Sequence, residues 1–185
     1  GLDELLGVLA DHSHVMAIGN RTKKPMSVCP EATLVSLQSF RGIVQYEPSE
    51  FTFTAWAGTP LAEVKAALGE KRQYLPFDPM LVDAGATIGG TVGAGLSGPG
   101  RFRYGGIRDF LLGVQFISGE GAVINAGGKV VKNAAGFDIP KFLIGSMGRF
   151  GVMTQMTFKV FPAPAVLRTL RIDCESHSQA IDRIA

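Results

Sequence analysis

Cysteine is scarce in this chain: Cys29 and Cys174 stand far apart, with no CxxC spacing. Two such thiols cannot ligate an iron–sulfur cluster by themselves and do not make a disulfide framework, so they read as packing thiols in a reducing compartment. Long hydrophobic runs are missing as well. No stretch approaches the ~20 apolar residues that cross a bilayer, and the opening residues carry no basic–apolar–small leader pattern. Charge of either sign is sparse: 18 Lys and Arg against 16 Asp and Glu leave a net charge of +2. That balance does not imply a nucleic-acid partner, although Lys23, Lys24, Arg101, Arg103 and Arg108 could form a local basic patch. The three histidines, His12, His14 and His177, read as solvent-facing or capping residues, and no metal site is expected.

What is present points to a soluble globular protein. Hydrophobic residues make up 46% and charged residues 18% of the 185 positions, enough for one large domain or two small ones with a true core. The unusual feature is 24 glycines, well above the ~7% average, most of them between Gly85 and Gly151. They sit among Val, Ile, Leu and Phe rather than in polar low-complexity sequence. Such glycines mark places where backbone turns through positive φ or closely approaches another group.

The pattern along the chain predicts a helix over Asp3–Ala10, then a buried strand Val15–Ile18 running into the turn Gly19-Asn-Arg-Thr22. Successive N–H groups in such a turn can point at one anion. Strands are predicted around Val35 and Leu37, over Ile43–Tyr46 and over Phe51–Ala57, the last two joined by a turn at Glu47–Glu50 and the last carrying Trp56 as a core residue. Thr59 as N-cap and Pro60 at the first position open a helix striped by Leu61, Val64, Ala67 and Leu68 and closed by Gly69. From Pro76 to Gly106 periodicity gives way to glycine-rich loops. A hairpin of Phe110–Ser118 and Ala122–Ala126, a short helix over Pro140–Ile144 and a strand over Val152–Phe161 follow. After Pro164, Leu167, Leu170 and Ile172 suggest a new strand and Ser178–Ala185 a helix. Strands dominate and no repeat shows, so the fold class is α+β.

Two glycine motifs fail on context. Gly93-Ala-Gly95-Leu-Ser-Gly98 matches G-x-G-x-x-G literally, but the Pro99-Gly100-Arg101 that follows forbids the long helix a dinucleotide fingerprint needs. Gly85-Ala-Thr-Ile-Gly-Gly90-Thr91 lacks the lysine of a Walker loop.

The whole set says more. Gly19-Asn-Arg-Thr22, Pro76-Phe-Asp-Pro79, Ala86-Thr-Ile-Gly-Gly90, Gly95-Leu-Ser-Gly98, Arg103-Tyr-Gly-Gly106, Arg108-Asp109, Gly145-Ser-Met-Gly148 and Gly151-Val152, in this order and spacing, resemble the FAD-binding domain of the vanillyl-alcohol-oxidase (PCMH) type. Within it the chain is most similar to the FAD-binding subunit of bacterial glycolate oxidase, through Arg103–Gly113, Gly127–Asp138 and Gly145–Gly148, over roughly residues 3 to 164. Met147 stands where many relatives carry Glu, a departure that fits the glycolate oxidase subunit better.

The resemblance implies two α+β subdomains, mostly sheet with few helices. Residues 1–164 would form the FAD-binding domain and 165–185 the start of a cap domain that supplies substrate contacts, so no catalytic acid or base is nameable here. It also implies FAD, noncovalent because Asn20 and Arg21 occupy the loop where some relatives attach flavin through His. Phosphates need N–H donors with no side chain in the way. The Gly19, Asn20, Arg21, Thr22 turn is therefore assigned to the diphosphate, with the Thr22 hydroxyl added. Thr87, Gly89 and Gly90 close from the other side, Ser97 adds a hydroxyl, and Gly151 and Val152 bring backbone to the flavin or adenine. Pro76, Ile88, Gly95, Gly98 and Gly148 complete the cofactor-contacting set.

Arg21 and Arg108 are candidates to neutralise phosphate, Arg108 being equally a solvated side chain or a partner of Asp109. Tyr104 and Phe137 either flank a ring or pack in the core, and Lys132, Asn133, Phe137 and Asp138 match the pattern without an assigned chemistry. The function implied is a glycolate (2-hydroxy acid) oxidase or dehydrogenase subunit in a complex with other subunits, an iron–sulfur one included. Its location would be cytoplasmic, with any inner-membrane contact made through partners. The alternatives are a flavin-binding or assembly subunit without turnover, and an FAD-linked oxidase of another alcohol.

Overall fold

In the computed structural model, which describes residues 1–23, 26, 29–128 and 137–184, the first helix, α1 (Leu2–Ala10), lays Leu5 into the core with Leu6 and Leu9 beside it. His12 Nδ1 lies 2.8 Å from the Val8 carbonyl at its C-terminal end. Strand β1 (Val15–Ile18) pairs in parallel with β2 (Thr33–Ser36), Val15 opposite Thr33 and Ile18 opposite Ser36. β1 is half-buried along its length rather than fully buried, because this two-stranded sheet covers only one of its faces.

Strands β3 (Ile43–Glu47) and β4 (Thr52–Trp56) form a hairpin around a 3-10 turn at Pro48–Glu50. Helix α2 (Leu61–Glu70) follows, and buries Leu61, Val64 and Leu68. Its start differs from the sequence expectation. Pro60 is the N-cap and makes no side-chain bond, while Thr59 is buried. The Thr59 hydroxyl accepts from the Gly42 amide at 2.9 Å and lies 2.7 Å from the Trp56 carbonyl, tying the head of β3 to the end of β4. Glu63, instead of completing a capping box, pairs with Arg41 at 2.8 Å. Gly69 lies inside the last turn; the helix closes at Lys71, and Arg72 takes the left-handed conformation at φ 53°.

After β5 (Gln73–Tyr74), the glycine-rich stretch holds a helix that periodicity did not reveal, α3 (Ile88–Ala94), capped by the Thr87 hydroxyl and ended by Gly95 at φ 65°. Three of its seven residues are glycine, which is poor helix material on propensity alone; burial of Ile88, Thr91, Val92 and Gly93 holds it. A single turn, α4 (Arg101–Tyr104), leads to the hairpin of β6 (Leu111–Ile117) and β7 (Val123–Gly127). Helix α5 (Ile139–Leu143) is capped by Asp138, whose carboxylate accepts from the Lys141 amide at 3.3 Å. The hydrogen bond from Lys141 is the main cause that holds the Asp138 carboxyl below its ordinary pKa. Most of the Gly127–Asp138 run, Lys132 and Asn133 included, lies outside the described residues.

Strand β8 (Val152–Lys159) is the centre of a five-stranded antiparallel sheet ordered β3-β4-β8-β6-β7, and β9 (Phe161–Pro162) pairs with β5. Period-two alternation aligns Phe53, Ala55, Leu111, Met156 and Phe158 on one face, with Phe53 and Leu111 each opposite Phe158. Phe158 stacks on Phe53 at 5.6 Å and on Phe77 at 6.0 Å. Trp56, half-buried, meets Phe40 edge-on at 5.3 Å. Beyond β9 no strand forms at Leu167–Ile172; α6 (His177–Ile184) ends the described chain.

Phe158 is 0% exposed, so Phe158→Ala should lower unfolding free energy by about 3–5 kcal/mol, read from urea denaturation. The exposed Phe102→Ala should change it by less than about 0.5 kcal/mol.

Candidate functional site

The chain leaves β1 at Gly19 directly against the cap of α3. A Cβ on Gly19 would stand 2.5 Å from the Thr87 hydroxyl oxygen, so only a bare backbone fits. Asn20 then pins the turn through both ends of its amide: Nδ2 donates to the Gly85 carbonyl and Oδ1 accepts from Gln38 Nε2, each at 2.8 Å. Arg21 is held at φ 53°, an uncommon conformation for a long side chain and one that turns successive N–H groups toward the same side. The amides of Gly19 through Lys23 donate to no protein acceptor among the described residues.

This turn is one wall of a cleft of about 570 Å³, within the range of cofactor sites. The second wall is α3 with its cap. Its amides are already committed: Ile88 N donates to Thr59 O at 2.9 Å, Gly89 N to Ala57 O at 2.8 Å and Gly90 N to the Thr87 hydroxyl at 3.2 Å. Gly89 and Gly90 therefore offer bare Cα surface, not donors. A Cβ on Gly89 would meet Ala57 at 2.8 Å, which fixes the depth of this wall. The third wall is the turn Met147–Gly151, anchored by Met147 N on Gly93 O at 2.9 Å. Met16, Leu34, Leu37 and Met153 make an apolar floor. Among the described residues Arg21 and Lys23 are the only charged members of the lining, which includes no Asp or Glu. Burial pulls the Lys23 ammonium below its ordinary pKa.

Of the residues assigned from sequence, Gly19, Asn20, Arg21, Thr22, Thr87, Gly89, Gly90, Gly148 and Gly151 converge on this cleft. Pro76, Ile88, Gly95, Ser97, Gly98 and Val152 do not line it. Ile88 and Val152 are buried, Gly95 rests on Gly145 and Gly98 on Asp78, and the Ser97 hydroxyl accepts from the Ile107 amide at 3.0 Å. Pro76 is buried, with its carbonyl beneath Gly100. Arg108 and Asp109 stand apart from the cleft and from each other's charge: Arg108 donates to the Lys141 carbonyl at 3.1 Å, and Asp109 accepts from the Gly106 amide at 2.8 Å. Tyr104 packs edge-on against Tyr74 and Phe161, and Phe137 is 95% exposed, so neither flanks a ring in this cleft. Of the basic-patch residues only Lys23 lines it; Arg101 and Arg103 stand on α4, and Lys24 lies outside the described residues.

Sequence reasoning gave no site role to Lys23, to the floor, or to Cys29, which is exposed at the cleft rather than packed. The signal for Lys23 was its place one residue beyond the turn; nothing in composition marked the floor.

Residues 3–127 match the family described as FAD binding domain. The chain belongs to that family. The glycolate oxidase subunit GlcE of Escherichia coli (strain K12) is 36% identical over 184 residues, 100% of this chain and 52% of that protein. The glycolate oxidase subunit GlcD of Bacillus subtilis (strain 168) is 28% identical over 91% of this chain and 36% of its own. A D-lactate dehydrogenase of Anaerostipes hadrus is 28% identical over 80% of this chain and 31% of its own. The FAD domain thus spans about half the length of its GlcE relative and less of the others. An alkyldihydroxyacetonephosphate synthase shares the fold, with a TM-score of 0.71 at 21% identity over 89% of this chain and 30% of that one.

The residues present fit FAD: unpaired amides, two cations and no carboxylate suit a diphosphate, and the apolar floor suits a flat ring. Asn20→Ala removes both bonds that pin the turn. It should cost about 1 kcal/mol of stability and weaken FAD binding roughly tenfold, about 1.4 kcal/mol, as read by quenching of flavin fluorescence.

Proposed function

We propose that this chain is the FAD-binding part of an oxidoreductase acting on glycolate or a closely related 2-hydroxy acid, working as one subunit of a complex. The single observation that carries the site is a cleft whose Gly19–Lys23 turn has amides without acceptors and whose only charges are cationic, both among the described residues. The substrate class is supported by the names of the relatives, two glycolate oxidase subunits and a D-lactate dehydrogenase; glycolate and lactate are both 2-hydroxy acids.

When bound, FAD supplies a two-electron acceptor for the hydride of the substrate C–H bond. This chain's residues bind and orient it. The Gly19–Thr22 turn holds the diphosphate, Asn20 fixes the turn, Gly89 and Gly90 let the ligand lie against α3, and Gly148 and Gly151 close the remaining side. The flavin is held noncovalently, a reading supported by Asn20 and Arg21 occupying the turn where some relatives attach flavin through histidine. Residues 1–164 form the FAD domain and 165–185 begin a second unit, a division supported by Val160 and Phe161 being the last residues packed into the core. Substrate contacts and catalytic groups come from that second unit or a partner, and an iron–sulfur subunit takes the electrons onward. The complex is cytoplasmic, meeting the inner membrane, if at all, through partners; among the described residues no helix is long and apolar enough to cross a membrane.

Full-length protein purified with its partners should release FAD into the supernatant on acid precipitation. Its flavin absorbance should bleach when glycolate is added without oxygen. Flavin that stays with the precipitate would overturn noncovalent binding, and a flavin bleached on a partner but not on this subunit would leave this chain an assembly role.

FAD should also shield Cys29 from alkylation, because that thiol is exposed at the cleft while Cys174 is not among its lining. Peptide mass spectrometry with and without flavin reads the ratio, with at least a fivefold slower reaction at Cys29 expected.

A further inference from the structure

We infer that Lys23 is the residue that makes this cleft select a diphosphate over a monophosphate, the turn amides holding one phosphoryl group and the Lys23 ammonium the other. The inference rests on the FAD reading of the cleft and assigns within it a side chain that the sequence pattern did not.

The cleft has two cations, and they are not equivalent. Arg21 is exposed, so water screens its charge, whereas Lys23 is half-buried against the lining. Its ammonium has three donors, and among the described residues its one side-chain partner is the Thr22 hydroxyl at 3.3 Å. Among the described residues it forms no ion pair and no carboxylate lines the cleft. A cation drawn out of water with no anion beside it destabilises the empty protein. The lowered pKa of Lys23 reports that cost, with burial as its cause. An anion placed between the turn and Lys23 would remove it. The turn's amides suffice for one phosphoryl group; a second brings further negative charge that the committed amides of α3 cannot meet.

The linkage has a definite sign. The Lys23 pKa is lowered on folding, so its contribution to stability is greatest above the lysine's ordinary range and is lost as pH falls through the lowered value. At neutral pH the empty protein therefore carries the full penalty, and replacing the lysine with an uncharged side chain should stabilise it.

The test uses full-length protein stripped of flavin, as wild type, Lys23→Met, Lys23→Arg and a control on the exposed face of α2, Lys65→Met. Calorimetric titration with FAD, ADP and AMP reads the affinities. Lys23→Met should lose tenfold or more for FAD and ADP and less than threefold for AMP. Lys23→Arg should recover most of the loss, and Lys65→Met should match wild type. Unliganded Lys23→Met should also resist urea better than wild type at pH 7, with the gap closing as pH rises toward the lysine range.

Equal affinity of Lys23→Met and wild type for FAD and ADP overturns the inference. So does equal weakening toward all three ligands, which marks a structural role. These failures are distinct from failure of the cleft itself: if FAD leaves Cys29 of the wild type as reactive as before, the ligand sits elsewhere and the lysine assignment falls with the cleft.

Discussion

A run of main-chain N–H groups with no acceptor among the described residues leaves the Gly19–Lys23 turn ready to receive an anion, and it is the constraint around which this domain is arranged. Gly19 through Lys23 can take that conformation only because Gly19 has no side chain to strike Thr87 and because Asn20 is fastened at both ends. Both fastenings depend on the larger fold. Gly85 is brought within reach by the loop that enters α3, and Gln38 follows the end of β2. The parallel pair β1-β2 shares one core with the five-stranded sheet through Val35 and Leu37, and the cleft lies beside that junction.

The two principal walls contribute different physics. The β1 turn supplies donors and charge. Helix α3 supplies proximity: its first amides are spent on Thr59, Ala57 and Thr87, which locks it to the end of β4 and leaves bare glycine facing the cleft. Glycine serves the two walls for opposite reasons: Gly19 lets the turn leave β1 with its amides free, and Gly89 and Gly90 let a ligand approach where no amide is free. Any charge the turn cannot balance falls to the side chains, and among the described residues Arg21 and Lys23 are there to meet it.

Much of this was legible in the sequence. Period-two alternation located β4 and β8, an apolar run located β6, and the apolar stripe of Leu61, Val64 and Leu68 located α2. The order of glycine motifs pointed to FAD before any coordinates, and nine of the fifteen residues assigned to the cofactor line the cleft. What stayed hidden depended on tertiary contacts. α3 has almost no helix propensity and exists through burial of Ile88 and Val92, so its periodicity could not announce it. Thr59 looked like a helix cap because its neighbours fit one, but the sheet claims its hydroxyl first. Gly95, Ser97 and Gly98 pack on Gly145, Ile107 and Asp78 and do not line the cleft. Sequence alone cannot separate a glycine that makes room for a ligand from one that makes room for another strand of the same chain.

Amide hydrogen exchange of the full-length protein, with and without FAD, tests the central claim most directly. The account predicts that Gly19 through Lys23 exchange readily in the empty protein and become strongly protected when FAD binds, while Gly89 and Gly90, already bonded within the fold, change much less. Exchange at Gly19–Lys23 that is unaltered by FAD, with new protection confined to other segments, would contradict it.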